Sequence, residues 1–150
     1  MKFNNIMVDL ETLGGAPDGA ILSIGACRFN MEEVEPEERW FHMGLSAKLN
    51  LRAGRKIDGD TVEWWLSQSK AAQDMVLTVP RAPNFTSLIA EFDDWLRVED
   101  IDFIWAKPPS FDIELLKHAY ISAGLDWPFH WAVDRDLRTL LHFAKVRGNF

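Results

Sequence analysis

The sequence predicts an α/β domain in which helices flank a mixed β-sheet, and three features support this fold class. The first third contains three apolar runs separated by turn-forming or glutamate-rich segments, which is typical of an antiparallel meander. The middle contains two segments whose apolar residues recur with helical spacing. The last third alternates short apolar runs with helical segments, which is typical of further strands joined to the same sheet.

The three N-terminal strands are predicted from their apolar runs and from the turns between them. The runs "IMVDL" and "AILSIGACRF" flank the turn "GGAPDG", and the run "RWFHMGL" follows later. The segment "MEEVEPEERW" lies between the second and third runs, and its glutamates around Pro36 indicate a solvated hairpin tip. The order of these segments predicts a three-strand meander.

Two helices are predicted in the middle of the chain. In "IDGDTVEWWLSQSKAAQDMVL", Asp60 is the predicted helix cap, and Glu63 three residues later completes a pattern that resembles a capping box. The apolar positions of this segment that fit helical spacing are Val62, Trp65, Leu66 and Met75. The next segment, "FTSLIAEFDDWLRV", has the same period and is predicted as an amphipathic helix.

The last third is predicted to add two strands and two helices. "IDFIWA" is the first of these strands, and Ser110 and Gly124 are the predicted start and end of the helix "FDIELLKHAYISAG". "FHWAV" is predicted as another strand. "DRDLRTLLHFAKVR" is predicted as a helix with basic residues toward its end.

Length and composition predict one domain over residues 1–150. Hydrophobic residues make up 47% of the chain and charged residues 26%, which is the composition of a globular protein. We find no apolar run of about 18 residues and no basic leader followed by an apolar segment, so neither a membrane span nor a secretory signal is expected. A single cysteine, Cys27, cannot form an internal disulfide and favours a cytoplasmic location.

The formal net charge of the chain narrows the range of functions to consider. A formal net charge of −7 argues against a protein that coats nucleic acid through a general basic surface, because such proteins neutralise phosphates with Lys and Arg. It leaves room for an enzyme that acts on nucleic acid, since metal ions held by clustered acids let an acidic cleft accept phosphate.

Asp9 and Glu11 end the first apolar run and are the most informative pair in the chain. Residues i and i+2 of a strand point to the same face, so the two carboxylates are expected to lie together. Two carboxylates roughly 4 to 7 Å apart repel by a few kcal/mol, and a hard divalent cation such as Mg²⁺ or Mn²⁺ removes that repulsion. The other interpretation is a strand end that frays into solvent, where acids are ordinary.

Asp112 is a third candidate acid. It lies in the first turn of the helix that follows the strand over residues 101–106. If that strand pairs beside the first strand, Asp112 reaches the same ion as Asp9 and Glu11, because ligand-binding groups of α/β sheets gather where strands end and helices begin. The alternative is an ordinary first-turn aspartate that the helix dipole stabilises.

Four segments together resemble the DEDD superfamily of 3′→5′ exonucleases, which has the ribonuclease H-like fold. "MVDLETLGGAPDGAILSIGACRFN" resembles the first motif of that family and "IWAKPPSFDIELLKHAY" the second. "GRKIDGDTVEWWLSQS" and "RDLRTLL" are similar to segments of the branch that contains exonuclease VIII-like, phage and bacterial 3′→5′ exoribonuclease proteins. The resemblance covers residues 4 to about 141 in the expected order.

The resemblance implies a function for the acids. Asp9, Glu11 and Asp112 correspond to catalytic residues that hold two Mg²⁺ or Mn²⁺ ions and hydrolyse phosphodiester bonds at the 3′ ends of single-stranded DNA or RNA. It also implies that Leu10 and Thr12 line the pocket for the terminal nucleotide.

Two further substrate contacts are predicted from residue type. Trp64 and the next tryptophan lie about 100° apart on a helix, so one faces the core and the other the surface. We predict Trp64 as the surface residue, which could stack on a nucleobase or form a subunit contact. The cations that could contact phosphates are Arg55, Lys56, Lys107 and Arg138, and Arg138 is the predicted substrate contact.

One part of the family pattern is missing. The third motif of the family has a fourth aspartate, with a histidine five positions earlier or a tyrosine four positions earlier, and none of the histidines or Tyr120 has an aspartate at that spacing. We therefore expect a chain shortened at its C-terminus that lacks the last helix. Asp136, near His130, is a doubtful substitute ligand whose other role is a helix-start acid paired with Arg138.

Three functional hypotheses remain at this stage. The first is a metal-dependent 3′→5′ exonuclease. The second is a catalytically impaired nucleic-acid-binding or interaction protein that retains the exonuclease fold, and the missing fourth acid motivates it. The third is a homo-oligomer in which a neighbouring subunit completes the site or covers the face left by the absent helix.

Overall fold

The computed structural model describes residues 4–31, 39–97 and 100–148, and its centre is a five-stranded mixed sheet. The strands are β1 (Asn5–Thr12), β2 (Ile21–Phe29), β3 (Trp40–Gly44), β4 (Phe103–Ala106) and β5 (Asp134–Asp136). Their order is β3-β2-β1-β4-β5, with an antiparallel meander from β1 to β3 and parallel pairing of β1 with β4 and of β4 with β5. The predicted α/β class and mixed sheet are confirmed.

Helices flank this sheet. They are α1 (Ala47–Arg52), α2 (Gly59–Ser67), α3 (Lys70–Leu77), α4 (Phe85–Leu96), α5 (Pro109–Ser122) and α6 (Leu137–Val146). The amphipathic helix predicted after the proline-containing loop is confirmed as α4, and Asn84 caps it by accepting a hydrogen bond from the backbone N–H of Ser87 at 2.8 Å. The short helix α1 is not predicted from the sequence.

The core lies on one face of the sheet. Ile6, Val8 and Leu10 of β1 are buried in the same cluster as Phe92 of α4 and Leu116 of α5. Because side chains alternate along a strand, Met7, Asp9 and Glu11 of β1 project to the other face. That alternation keeps the acids of β1 out of the core.

The long helix predicted after the meander is two helices. Asp58, rather than Asp60, caps α2, and Ser69 caps α3 with an extended backbone that breaks the helical path. The two helices therefore do not share one apolar face. Leu66 and Met75, two of the apolar positions assigned to the predicted long helix, are 74% and 62% exposed.

The C-terminal third differs from its predicted boundaries. α5 begins at Pro109 without a side-chain cap, so Ser110 lies inside its first turn, whereas Gly124 follows its end with a positive φ as expected. The predicted strand "FHWAV" is wrong, because Trp131–Val133 forms a 3-10 turn and the strand is β5, which follows that turn directly. The predicted final helix is confirmed as α6, although it starts only after β5.

Two remaining expectations concern the surface of the chain. The predicted hairpin tip around Pro36 falls on residues 32–38, which lie outside the described residues. Within the described ranges, none of the helices has the length and apolar character needed to cross a membrane.

Candidate active site

Asp9 and Glu11 line one small cavity on the face of β1 opposite the core. We call this space, of about 170 Å³, the acid cavity. Its lining residues are Asp9, Glu11, Ser23, Gly25, His42, Met75 and Val76. The predicted juxtaposition of the two acids is therefore present, and the strand alternation that predicts it is confirmed.

Asp112 joins the pair through the backbone of β1. The parallel pairing of β4 with β1 places the start of α5 beside the end of β1. Oδ1 of Asp112 accepts a hydrogen bond from the backbone N–H of Leu10 at 2.9 Å, and Leu10 lies between Asp9 and Glu11. The Asp112 side chain is only 2% exposed, so the structure fixes a buried carboxylate next to the acid cavity.

The three carboxylates share an electrostatic environment. Partial burial raises the pKa of Asp9, and burial followed by the charges of Asp9 and Asp112 raises the pKa of Glu11. Burial raises the pKa of Asp112 to about 6; the charge of Asp9 adds to this shift, whereas the Leu10 N–H and the charge of Arg138 oppose it. Protons or a cation at this end of β1 therefore relieve both desolvation and mutual repulsion.

The carboxylates suit a divalent ion in donor chemistry and in charge. Mg²⁺ and Mn²⁺ prefer such oxygen ligands. As the side chains stand, no group of three Asp, Glu, His or Cys residues within the described ranges is spaced to hold one metal ion. The ligand set Asp9, Glu11 and Asp112 thus stays a prediction that the charges favour.

Asp136 begins α6. Its Oδ1 accepts a hydrogen bond from the backbone N–H of Arg138 at 2.9 Å, and its Oδ2 accepts one from Oγ1 of Thr139 at 3.2 Å. These bonds match the predicted helix-start role, while a metal contact of Asp136 stays a prediction. His130 is exposed, and its Nδ1 accepts a hydrogen bond from the backbone N–H of Ala132 at 3.3 Å.

A larger apolar cleft adjoins the acid cavity through Val76, which lines both. We call this space, of about 480 Å³, the apolar cleft. Trp65 forms part of its wall, and the Nε1–H of Trp65 donates to the backbone oxygen of Thr12 at 2.8 Å. Because Thr12 follows Glu11 directly, that bond fixes an indole ring close to the acids. Lys48 and Arg81 also line the cleft.

The predicted substrate-binding residues differ in how exposed they are and in which of their groups lie near the site. Leu10 is 5% exposed and belongs to the core, so its connection to the site is through its backbone N–H. Thr12 is 7% exposed and contributes its backbone oxygen to Trp65. Trp64 is 54% exposed, as predicted for the surface tryptophan, and packs edge-to-face against Trp65 at 5.0 Å between ring centroids. Their contacts with nucleic acid stay predictions.

Arg55 cannot contact phosphate in this conformation, contrary to the sequence-based suggestion. It is 3% exposed, and its guanidinium donates to the backbone oxygen of Gly19 at 3.0 Å and to Nδ1 of His118 at 2.7 Å. Lys56 is exposed and pairs with Asp18 at 2.5 Å.

Sequence reasoning missed two residues of the site. Trp65 was placed on the core side of its helix, and no local signal shows that its indole reaches the end of β1. His42 reaches the acid cavity because the sheet aligns it with Gly25 and aligns Gly25 with Asp9. Alternation along β3 could have indicated its face, but the register of β3 is needed to bring it level with Asp9.

Comparison with known proteins identifies a family. The family model of the Rv2179c-like 3′-5′ exoribonuclease domain matches residues 4–149. Among solved structures, the chain is similar to cell-death related nuclease 4 (CRN-4), with a TM-score of 0.64 and 13% identity over 97% of this chain and 49% of that chain. This chain therefore spans about half the length of CRN-4, and the likeness is one of fold. No curated protein sequence matches significantly.

Proposed function

Because this chain belongs to the family of Rv2179c-like 3′-5′ exoribonuclease domains, we propose that it is a metal-dependent 3′→5′ exonuclease that acts on single-stranded DNA or RNA ends. The sequence-based expectation of a 3′→5′ exonuclease family is confirmed. Three points belong to the proposal: the assignment to the DEDD class, the identity of the metal, and single-stranded DNA or RNA as the substrate.

The observation that carries the proposal is the hydrogen bond from the Leu10 N–H to Asp112. It brings a carboxylate from α5 to the strand segment that carries Asp9 and Glu11, although the sequence separates them by about a hundred residues. A protein gains no stability by gathering three desolvated carboxylates, so their convergence favours a function that needs localised negative charge.

The residues of the chain have separate roles in the proposed reaction. Bound divalent cations in such a site supply an activated water and neutralise the charge that develops on the phosphodiester. Asp9, Glu11 and Asp112 would hold the cations. Arg138 is close enough to Asp112 for its charge to lower the pKa of that carboxyl, so it is placed to attract a phosphate of the strand.

The apolar cleft supports a single-stranded substrate. Its volume of about 480 Å³ and its fixed Trp65 ring suit a nucleobase, and a base can stack there only when it has left a duplex. With a net charge of −7, the acids of the chain outnumber its cations and oppose the approach of phosphates, so stacking is expected to supply much of the contact with the strand.

The test is cleavage of 5′-labelled single-stranded DNA and RNA in Mn²⁺ or Mg²⁺, with EDTA as the metal-free control. We expect products that shorten from the 3′ end, and an Asp9→Asn variant that is slower by about 100-fold or more because it loses a ligand charge. Glu91→Gln, which removes an exposed acid on α4, is the matched control and should cleave normally. Full activity of Asp9→Asn would refute the proposal.

A second candidate is a catalytically impaired protein that binds nucleic acid and retains the exonuclease fold. The absence of a histidine or tyrosine at the family spacing before a fourth aspartate favours it. Single-strand binding that persists in EDTA, together with intact oligonucleotides in Mn²⁺, would support this candidate over the enzyme.

A further inference from the structure

Arg55 is a buried cation that the elements of the candidate site surround. Its Nε–H donates to the backbone oxygen of Gly19 at 3.0 Å, and its Nη2 donates to that of Pro17 at 3.3 Å. Its Nη1 donates to Nδ1 of His118 at 2.7 Å, and the guanidinium lies 5.5 Å from the ring centre of Phe85. All three nitrogens of the guanidinium are therefore used inside the protein.

The two groups that Arg55 joins, the turn after β1 and His118, belong to segments that carry the acids of the candidate site. The turn over residues 13–20 follows Glu11 and Thr12 along the chain. His118 lies on α5, the helix that carries Asp112 at its start. Arg55 thus connects the exit of β1 to the helix that delivers the third acid.

A short strap extends this connection to α2. Residues 55–58 run along the turn through three backbone hydrogen bonds: Lys56 N–H to Asp18 at 2.9 Å, Ala20 N–H to Lys56 at 2.7 Å, and Asp58 N–H to Leu13 at 2.8 Å. Asp58 caps α2, which carries Trp65. The strap that Arg55 begins therefore leads to the helix whose Trp65 lines the apolar cleft.

The contact with His118 requires a particular protonation state. A guanidinium donates hydrogen bonds and accepts none, so Nδ1 of His118 must be the acceptor and the ring must be neutral with its proton on Nε2. A protonated ring would lose the acceptor and place a second cation 2.7 Å from Nη1 of Arg55.

Other charged and polar groups also face this contact. Asp18 on the turn interacts electrostatically with both His118 and Arg55, and Asp18 is itself paired with Lys56. On α5, Oγ of Ser122 lies 3.3 Å from Nδ1 of His118. The negative charge of Asp18 favours a charged histidine, whereas the guanidinium of Arg55, in direct contact at 2.7 Å, opposes one.

We propose that Arg55 is a positioning residue for the candidate site and that its hold on the turn depends on neutral His118, so that acidification loosens the turn and α2 from α5. The effect on catalysis rests on the proposed function. The loosening itself does not, because it concerns hydrogen bonds inside the chain.

The experiment measures amide hydrogen exchange by NMR at pH 7.5 and pH 5.5, about one unit above and below the ordinary pKa of a histidine side chain. The reporting amides are Ala20 and Asp58, each corrected for intrinsic exchange rates and compared with Ile104 in β4. We expect their protection to fall by about tenfold or more on acidification while that of Ile104 is kept.

Three variants make the outcome specific. His118→Asn places an amide oxygen near the position of Nδ1 without a titrating group, so its protection should not change between the two pH values. His142→Asn, an exposed histidine of α6, is the matched control and should behave like the wild type. Arg55→Lys should show low protection at both pH values, because an ammonium cannot span three acceptors.

The results separate this inference from the proposed function. Constant protection in the wild type, or the same acid-induced loss in His118→Asn, would overturn the inference whether or not the chain cleaves nucleic acid. If the chain is a nuclease, kcat of the wild type should fall between pH 7.5 and pH 5.5 more steeply than kcat of His118→Asn. Parallel profiles would contradict a positioning role.

Discussion

At the scale of single residues, Asp112 connects the fold to the candidate site. It is buried and is bonded to the backbone of the central strand, yet its pKa of about 6 means that the folded protein holds its ionised form at a cost. Replacing it by asparagine keeps an oxygen for the Leu10 N–H and removes the charge. The cost of ionisation can therefore be measured separately from the hydrogen bond.

We predict that Asp112→Asn stabilises the metal-free protein at neutral pH. The pKa of Asp112 is raised from 3.8 to about 6 on folding, so the folded state binds more protons than the unfolded state between those values and stability falls as pH rises through this window. The asparagine variant should gain about 2 to 3 kcal/mol above pH 6 and almost nothing near pH 4. Urea unfolding in EDTA at pH 7.5 and pH 4 measures the difference.

Asp94→Asn, which removes an exposed acid of α4, is the control for charge and should leave stability within about 0.5 kcal/mol. A variant Asp112→Asn that is equally or less stable than the wild type at pH 7.5 would contradict the prediction.

Sequence reasoning found the residues whose position depends on local geometry. Asp9 and Glu11 share a face because strand alternation is a local rule, and Asp112 follows a strand that could be recognised by composition. Trp65 and Arg55 were misjudged because their surroundings come from segments distant in sequence. Nothing local shows that the indole reaches Thr12 or that the guanidinium is buried against His118.

At the scale of elements, the break between α2 and α3 shapes the site. It turns the chain so that Val76 of α3 lies over both cavities. The side chain of Gln73 holds the break by donating to the backbone oxygens of Trp65 at 3.1 Å and Gln68 at 3.2 Å. Residues 67–69 contain no glycine or proline, so the sequence gives no signal of a break between the two helices.

We predict that Ser69→Ala destabilises the protein by about 1 kcal/mol, because Oγ of Ser69 accepts the backbone N–H of Ala72 at 3.2 Å and caps α3. Ser67→Ala is the matched control. Its hydroxyl donates to the backbone oxygen of Trp64 at an exposed helix end, so its loss should change stability by less than about 0.5 kcal/mol. Urea unfolding of both variants checks the difference, and equal effects would argue against the cap.

At the scale of the whole molecule, the N-terminal meander was predictable and the last strand was not. The meander follows from turn chemistry, whereas the pairing of β4 with β1 was a condition of the sequence argument that the structure fulfils. β5 is the polar segment "DRD", which becomes a strand by pairing with β4. Two of its side chains have partners: Nζ of Lys117 on α5 donates to Oδ2 of Asp134 at 3.1 Å, and the guanidinium of Arg135 lies 4.0 Å from the ring centre of Phe103 in β4.

We predict that Mn²⁺ stabilises the whole fold. A ligand that binds the folded state at a hundred times its Kd adds about 2.7 kcal/mol, which raises the Tm of a chain of this size by roughly 5 °C or more. Thermal melts with and without Mn²⁺ should show this rise for the wild type and for Glu91→Gln, and a much smaller rise for Asp9→Asn. The same rise in all three proteins would mean that the cation binds elsewhere.

The hydrogen bond between Leu10 and Asp112 joins residues 102 positions apart in the chain, and this separation constrains the order of folding events. The meander closes through short local connections, whereas β4 can pair with β1 only after a long loop has closed, and such distant pairings form slowly. An early folding intermediate built on the meander would hold two of the three acids without the third. Tight cation binding should then appear only when β4 has paired with β1. The time at which a refolding chain begins to bind the cation would therefore report when this long-range pairing forms.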